Sequence, residues 1–276
     1  MSNKKIYNVH LKAKKELASS TLDLSVKQKG KVMPFSRRIK QDLRDGIILT
    51  NSKHELYKMY PNDSMKWQKL PAPTKIAPGT TNLSSVFHGC SKLTEIDLSY
   101  WDTSSVTRMN GTFGGLQYLE EIDIEGLDTS NITSMANLFS TIGRRSEGVN
   151  IIGIEDLNVS QVTQMQNLFS GANVKELNLS KWNVSNVTDM GLMFRGSSIE
   201  KLDITGWDTS KATGMGWMFY ECNSLKEVIG VLDLTSATTY DLTHDKKLPS
   251  LEKPIQLKNV PRDFKNTGQF EILSYR

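Results

Sequence analysis

Apolar residues recur along the middle of the chain at a nearly constant interval. Successive phenylalanines are separated by 26, 26, 30, 25 and 25 residues in the series Phe87, Phe113, Phe139, Phe169, Phe194 and Phe219. A methionine stands four residues before each of the last five, at Met109, Met135, Met165, Met190 and Met215. A period this regular predicts a solenoid, in which each repeat buries its apolar face against its neighbours.

One half of each repeat has the alternation of a β-strand. Ile96 and Leu98 would face the interior, while Glu95 and Asp97 would face solvent. The same alternation returns in segments 119–124, 174–179 and 199–204. Stacked repeats would therefore form a parallel sheet with one short strand per repeat.

The other half of each repeat has the spacing of a short helix. Val187, Met190 and Phe194 fall at i, i+3 and i+7, which is one helix face. Ser185 or Asn186 precedes that face and is a candidate N-cap. The phenylalanine and methionine columns are interpreted as core packing, because burial of large apolar side chains dominates the stability of such stacks.

The repeat also resembles a known family. Segments 180–190 and 206–215 closely match the motif L-x-x-L-D-L-S-x-W-D-T-S-x-V-T-x-M-x-x-M-F-x-G-C-S. Over residues 81–235 this motif is similar to the BspA-like leucine-rich repeats of bacterial surface proteins. The resemblance implies a right-handed leucine-rich-repeat solenoid, a role in binding or adhesion, and no catalysis. The predicted fold class is thus an α/β repeat, with a short strand and a short helix in each repeat of about 25 residues.

Four regions are predicted along the chain. Residues 1–70 form a basic, β-rich anchoring domain, with a short basic helix from Ser36 to Asp45 and a strand at residues 47–49. Residues 71–80 are a proline-rich linker, residues 81–235 the solenoid, and residues 236–276 a C-terminal cap. The strand register near residues 225–235 stays open between 228–229 and 232–234. The long repeat has its surplus near residues 141–148, which is interpreted as a surface loop, with a binding loop as the alternative.

Charge divides the chain into a basic part and an acidic part. Residues 1–80 carry 17 Lys and Arg against 6 Asp and Glu, whereas residues 81–276 carry 17 against 24. This asymmetry predicts that the two parts meet different partners. The basic helix offers a docking patch of Arg37, Arg38, Lys40 and Arg44. Nucleic acid is not the expected partner, because the patch lacks aromatic residues on which bases could stack.

The solenoid presents a row of acidic and amide residues on its outward strand face. These residues are Glu95, Asp97, Glu121, Asp123, Glu176, Asn178 and Asp203. Stacked carboxylates about 4.8 Å apart repel one another, which water tolerates and a polar ligand or cation would relieve. A solvated hydrophilic face is the favoured interpretation, and a binding face is the alternative. Lys201 and Gly153 interrupt the row and weaken a metal interpretation.

No chemistry of catalysis or cofactor binding is visible. The four histidines are scattered without the spacing of a zinc site, and no serine, cysteine or carboxylate has a credible local base. Cys90 and Cys222 occupy equivalent positions in repeats five coils apart, roughly 24 Å at the strand spacing, so two free thiols are predicted instead of a disulfide. The chain is therefore expected to be neither an enzyme nor a cofactor protein.

The expected function is non-enzymatic attachment. Residues 1–10 lack the apolar core of a secretory signal, and no apolar stretch is long enough to span a bilayer. We therefore expect a virion component of a bacteriophage, such as a decoration, fibre or baseplate protein, assembled in the bacterial cytoplasm. Residues 1–70 would dock onto the larger assembly, and the solenoid would recognise a host-surface protein or glycan. The alternative is a bacterial cell-surface adhesin whose export and anchor segments lie outside this chain.

Overall fold

The computed structural model describes residues 47–50, 56–59, 81–87, 95–98 and 101–276. The first two segments are strands β1 (Ile47–Thr50) and β2 (Leu56–Met59), which pair in antiparallel fashion. The strand predicted at residues 47–49 is therefore present. The other elements predicted between residues 1 and 46, including the basic helix, lie outside the described residues.

The repeats form a parallel β-solenoid of about six turns. Its strands make three sheets, in the orders β3-β4-β5, β6-β7-β8 and β11-β10-β9. The strands are β3 (Glu95–Asp97), β4 (Glu121–Asp123), β5 (Asn150–Ile152), β6 (Glu176–Asn178), β7 (Lys201–Asp203), β8 (Glu227–Ile229), β9 (Val231–Asp233), β10 (Ile255–Lys258) and β11 (Phe270–Ile272). A short 3-10 turn, Ile154–Asp156, follows β5.

The predicted phenylalanine column is one continuous row in the core. Adjacent rings from Phe87 to Phe219 stack with centroids 5.3–5.8 Å apart and planes within 22° of parallel. All six rings are buried. The methionines of the preceding column are buried beside them. The solenoid prediction is confirmed.

The prediction of a short helix in each repeat is wrong. Val187, Met190 and Phe194 are buried as expected, but the backbone around them forms successive turns. The N–H groups of Met190, Leu192 and Phe194 donate to the carbonyls of the next coil at 2.7–3.0 Å, where an α-helix would bond within its own segment. Within the described residues the fold has almost no helix, so the strand-plus-helix unit of a leucine-rich repeat is not what this sequence forms.

A recurring left-handed residue explains why the helix does not form. The residue two positions before each phenylalanine of the row has φ between 55° and 59°: Ser85, Gly111, Asn137, Asn167, Leu192 and Trp217. The residue two positions after the phenylalanine is also left-handed in five coils: Gly115, Thr141, Gly171, Gly196 and Glu221. A left-handed residue reverses the local winding, so a right-handed helix cannot pass through it.

Polar columns tie the coils together along the turns. The hydroxyl of Thr133 donates to the carbonyl of Thr107 in the preceding coil, and Thr163, Thr188, Thr213 and Thr238 repeat this contact. The predicted cap role of Ser185 and Asn186 is replaced by other bonds. Asn183 accepts from the Ser185 backbone, and the Asn186 amide donates to Ser160. These side chains close turns and bridge coils because no helix terminus is present.

Both candidate strands near the C-terminal end of the repeats are used. Val228 lies in β8, which pairs with β7, and Leu232 lies in β9, which pairs with β10. Gly230, with φ of 118°, separates them and permits the bend. Residues 236–276 contain β10 and β11, which continue the parallel stacking.

The structure describes one of the two cysteines. Cys222 is a free, buried thiol whose Sγ donates to the Phe194 carbonyl at 2.9 Å. Burial raises its pKa to about 11. Cys90 lies outside the described residues.

Candidate functional site

The predicted acidic row is divided between two sheets. β4 pairs with β5 and β6 pairs with β7, but β5 and β6 do not pair with each other. One sheet holds Glu95, Asp97, Glu121 and Asp123, and the next holds Glu176, Asn178 and Asp203. The seven residues therefore form two short groups and not one continuous ladder.

The strand-end members of this row form turns. The side-chain oxygen of Asp123 accepts the backbone N–H of Glu125 at 3.0 Å. Asp203 and Asn178 make the same contact with the residue two positions on, at 2.9 and 3.1 Å. Asp and Asn favour this position because such a bond stabilises the turn. These three side chains have a structural use, and their role in binding stays untested.

Lysines pair with two glutamates next to the predicted row in the second sheet. Lys226 and Lys175 approach Glu200 at 2.6 and 3.7 Å, and Lys253 pairs with Glu227. The hydrogen bond from Lys226 holds the pKa of Glu200 below its usual value. Lys201 lies opposite Glu176 in the ladder. Among the described residues no group of three or more metal-binding side chains is present.

A different feature lies among the turns near the phenylalanine row, in the last coils of the solenoid. We define the aromatic patch as Trp217, Tyr220, His244, Arg195 and Lys246. The Trp217 ring lies 4.5 Å from the His244 ring and 5.9 Å from the Tyr220 ring, centroid to centroid. The Tyr220 and His244 rings meet edge to face at 5.5 Å. Coil stacking thus brings residues 195, 217–220 and 244–246 from three successive turns into one cluster.

Two cations contact the Tyr220 ring of the aromatic patch. The Lys246 ammonium lies 4.6 Å from the ring centroid, and the Arg195 guanidinium carbon lies 5.6 Å from it. Lys246 also donates to the Tyr220 hydroxyl at 2.9 Å, which raises the pKa of the lysine. Glu221 lies 3.7 Å from the same ammonium. The patch therefore combines aromatic faces with fixed positive charge.

Trp217 is the unusual member of the aromatic patch. It is 41% exposed, whereas Trp101, Trp182 and Trp207 are buried. It also occupies the left-handed column, where a bulky residue costs about 1–3 kcal/mol relative to an unstrained one. Asn occupies the same position in two earlier coils, at Asn137 and Asn167, and tolerates this conformation. The fold thus carries a strained, exposed tryptophan where asparagine would fit.

Sequence reasoning missed the aromatic patch although a signal was present. His244 has no histidine spacing that marks a site, and Trp217 falls outside the tryptophan column of the repeat. The positions two before each phenylalanine read Ser, Gly, Asn, Asn, Leu and Trp, and the first four favour turns. The last two are the exceptions. The predicted docking patch of Arg37, Arg38, Lys40 and Arg44 lies outside the described residues.

Comparison with known families covers most of the solenoid. Residues 77–147 and 141–248 each match the family described as "Mycoplasma protein of unknown function, DUF285". The chain belongs to the DUF285 family. Membership in DUF285 is compatible with the resemblance to BspA-like surface proteins and assigns no activity. No curated protein matches the chain, and no solved structure does.

One negative finding concerns membranes. In the part of the chain that the structure describes, no helix has the length and apolarity needed to cross a bilayer.

Proposed function

We propose that this chain is a non-enzymatic binding protein. Its solenoid is the rigid support, and the aromatic patch is the surface that contacts the partner. The proposal is carried by Trp217, which stays 41% exposed beside Tyr220 and His244 in a strained conformation that asparagine would adopt at less cost. Trp, Tyr and Arg are also the residue types that contribute most to binding interfaces.

The composition of the aromatic patch supports recognition of a host-surface protein or glycan. Trp217 and Tyr220 offer amphipathic rings that lose little side-chain entropy on binding. Arg195 has no carboxylate within 4 Å in the described part of the chain, so its guanidinium is available for a partner's acidic or hydroxyl groups. The turns beneath the patch are fixed by backbone bonds such as Trp217 N–H to the Asp241 carbonyl at 2.6 Å. A surface held in place before contact loses less entropy on binding.

The test compares two matched asparagine variants. Trp217→Asn and Leu192→Asn change the same left-handed position in successive coils, with φ of 59° in both. Labelled proteins would be applied to arrays of oligosaccharides and of cell-surface protein ectodomains. We expect wild type and Leu192→Asn to bind the same array components, and Trp217→Asn to lose at least about thirtyfold in affinity.

Stability measurements separate this effect from misfolding. Relief of left-handed strain offsets the loss of side-chain contacts, which for Trp217 are ring contacts, so both variants should stay within about 1 kcal/mol of wild type. Binding by Trp217→Asn that equals wild type would remove the aromatic patch from the proposal. An absence of wild-type binding to every array component would count against the binding function itself.

The cellular setting is a separate part of the proposal. The resemblance of the repeats to BspA-like surface proteins favours an adhesin at a bacterial cell surface, and the DUF285 match is compatible with that resemblance. The bacteriophage virion stays the prediction made from the sequence. Antibody labelling of intact cells would support the adhesin, and recovery of the chain in purified phage particles would support the virion component.

A further inference from the structure

A groove opens where the strand face of the solenoid is interrupted. β5 is the last strand of its sheet and β6 is the first strand of the next. Between these two edges lies a cavity of about 550 Å³, which is within the size range of ligand pockets. This groove shares no residue with the aromatic patch.

The groove is built into the fold by the long repeat. On the turn side the coils stay in register, because the Phe139 and Phe169 rings still stack at 5.3 Å. On the strand side, β5 follows the additional residues near 141–148 and does not pair with β6. The Asn173 amide donates to the carbonyls of Gly143 and Ser146, at 3.1 and 2.9 Å, which holds the extra segment in place.

The far end of the groove is also fixed. The indole N–H of Trp182 donates to the Ile154 carbonyl at 2.9 Å, and Lys181 pairs with Asp156 at 2.6 Å. The gap between β5 and β6 is therefore closed by side-chain bonds at both ends. Between these ends it is about as long as a short strand. A bounded gap between two strand edges is suited to a segment of a few extended residues.

The lining of the groove indicates the chemistry of its occupant. Its apolar residues are Val149, Ile151, Ile154, Val174 and Leu177. Its charged residues are Glu120, Glu147, Glu176 and Lys175. Lys175 lies 3.7 Å from Glu200, while no lysine or arginine of the described residues lies within 4 Å of the three groove glutamates. The groove is therefore net negative around an apolar floor.

We propose that the groove binds an extended, basic peptide segment of a partner protein. The segment pairs by its backbone with the edge of β5, adding a strand where the solenoid leaves its sheet open. Its apolar side chains contact the floor, and its lysine or arginine side chains face Glu120, Glu147 and Glu176.

The test uses defined peptides and the full chain. A fluorescently labelled hexapeptide of alternating lysine and valine would be titrated in anisotropy measurements. Two comparison peptides carry glutamate in place of lysine, or N-methyl groups on alternate backbone nitrogens. We expect the lysine peptide to bind, with affinity that falls as salt rises. Both comparison peptides should bind at least about tenfold more weakly, because one lacks charge complementarity and the other cannot form the ladder.

Matched protein variants locate the site. Glu147→Lys/Glu176→Lys reverses two charges in the groove, and Glu125→Lys/Glu252→Lys reverses two exposed charges elsewhere. We expect the first variant to lose at least about tenfold in affinity and the second to bind nearly as wild type. The proposal is overturned if the lysine peptide does not bind, if both variants bind it equally, or if the N-methylated peptide binds as well as the unmodified one.

Discussion

The stacked phenylalanines allow the free energy of ring stacking to be measured separately from the free energy of burial. Phe169 and Phe219 are 0% and 1% exposed, so replacement by alanine removes nearly the same area from the core. Their ring partners differ. Phe169 stacks on Phe139 at 5.3 Å and on Phe194 at 5.8 Å, and it also meets Trp182 at 6.4 Å. Phe219 ends the row, and among the described residues it stacks on Phe194 alone.

The magnitudes follow from this geometry. Burial and cavity formation should make each Phe→Ala change cost about 3–5 kcal/mol. Each aromatic pair adds about 0.5–1.5 kcal/mol beyond burial. Phe169→Ala breaks one or two more ring pairs than Phe219→Ala, so its cost should exceed that of Phe219→Ala by about 0.5–3 kcal/mol.

Urea unfolding followed by circular dichroism measures this difference. The two variants and wild type should share one m-value, so that midpoint shifts report stability. A double-mutant cycle of Phe169→Ala with Phe194→Ala isolates the coupling of one ring pair, expected at about 0.5–1.5 kcal/mol. Equal destabilisation by the two single changes, together with zero coupling in the cycle, would refute ring pairing as a separate contribution.

Two further changes probe buried polar groups. Burial raises the pKa of Cys222 from 9.0 to about 11, so the folded state disfavours the thiolate. The stability that the neutral thiol contributes is fully present below pH 9 and is lost as pH rises towards 11. Denaturant unfolding between pH 7 and 11 should therefore show wild type losing up to about 2–3 kcal/mol more than Cys222→Ala, and parallel curves would contradict this. Trp182→Phe removes the indole donor from the Ile154 carbonyl, and we expect a loss of about 1–3 kcal/mol in thermal or urea unfolding. Trp207→Phe is its matched control, because it removes the same kind of bond, to the Leu179 carbonyl, away from the groove. Only Trp182→Phe should also increase amide hydrogen exchange around Ile154. An increase there in both variants would show that the Trp182 bond does not hold this segment locally.

The repeat period made the solenoid predictable from sequence. Phenylalanines about 25 residues apart could only be buried together if successive coils stacked, and the row from Phe87 to Phe219 shows that they do. The alternation around Leu177 and Leu202 likewise predicted two strands that the structure contains. These features depend on the position of apolar side chains, which sequence gives directly.

The turns were predicted less well because two conformations share the same apolar spacing. Val187, Met190 and Phe194 would be buried together in a helix, and they are equally buried in a chain of turns. The distinction rests on Leu192, whose φ of 59° a sequence pattern does not specify. Gly111 and Asn137 at the equivalent positions were the available evidence for a left-handed residue.

The acidic row shows how a surface pattern can have several uses at once. Asp123 and Asp203 accept backbone bonds in turns, and Glu200, which lies next to the row, pairs with Lys226. Glu176 instead lines the groove beside β5. Residues along this row thus differ in use, and Glu176 lies where one sheet ends and the next begins. Periodicity averages over coils and cannot identify the coil that differs.

Departures from the repeat are consequently more informative about function than the repeat itself. Asn137 and Asn167 satisfy the left-handed position at little cost, so a stack built for stability alone would continue with asparagine. Trp217 departs from that column at an exposed position and meets Tyr220 and His244 from neighbouring turns. A residue that is locally unfavourable yet exposed gains little from the core, which supports the proposal that Trp217 contributes through contact with another molecule. Loss of stability without loss of binding in Trp217→Asn would contradict that reasoning directly.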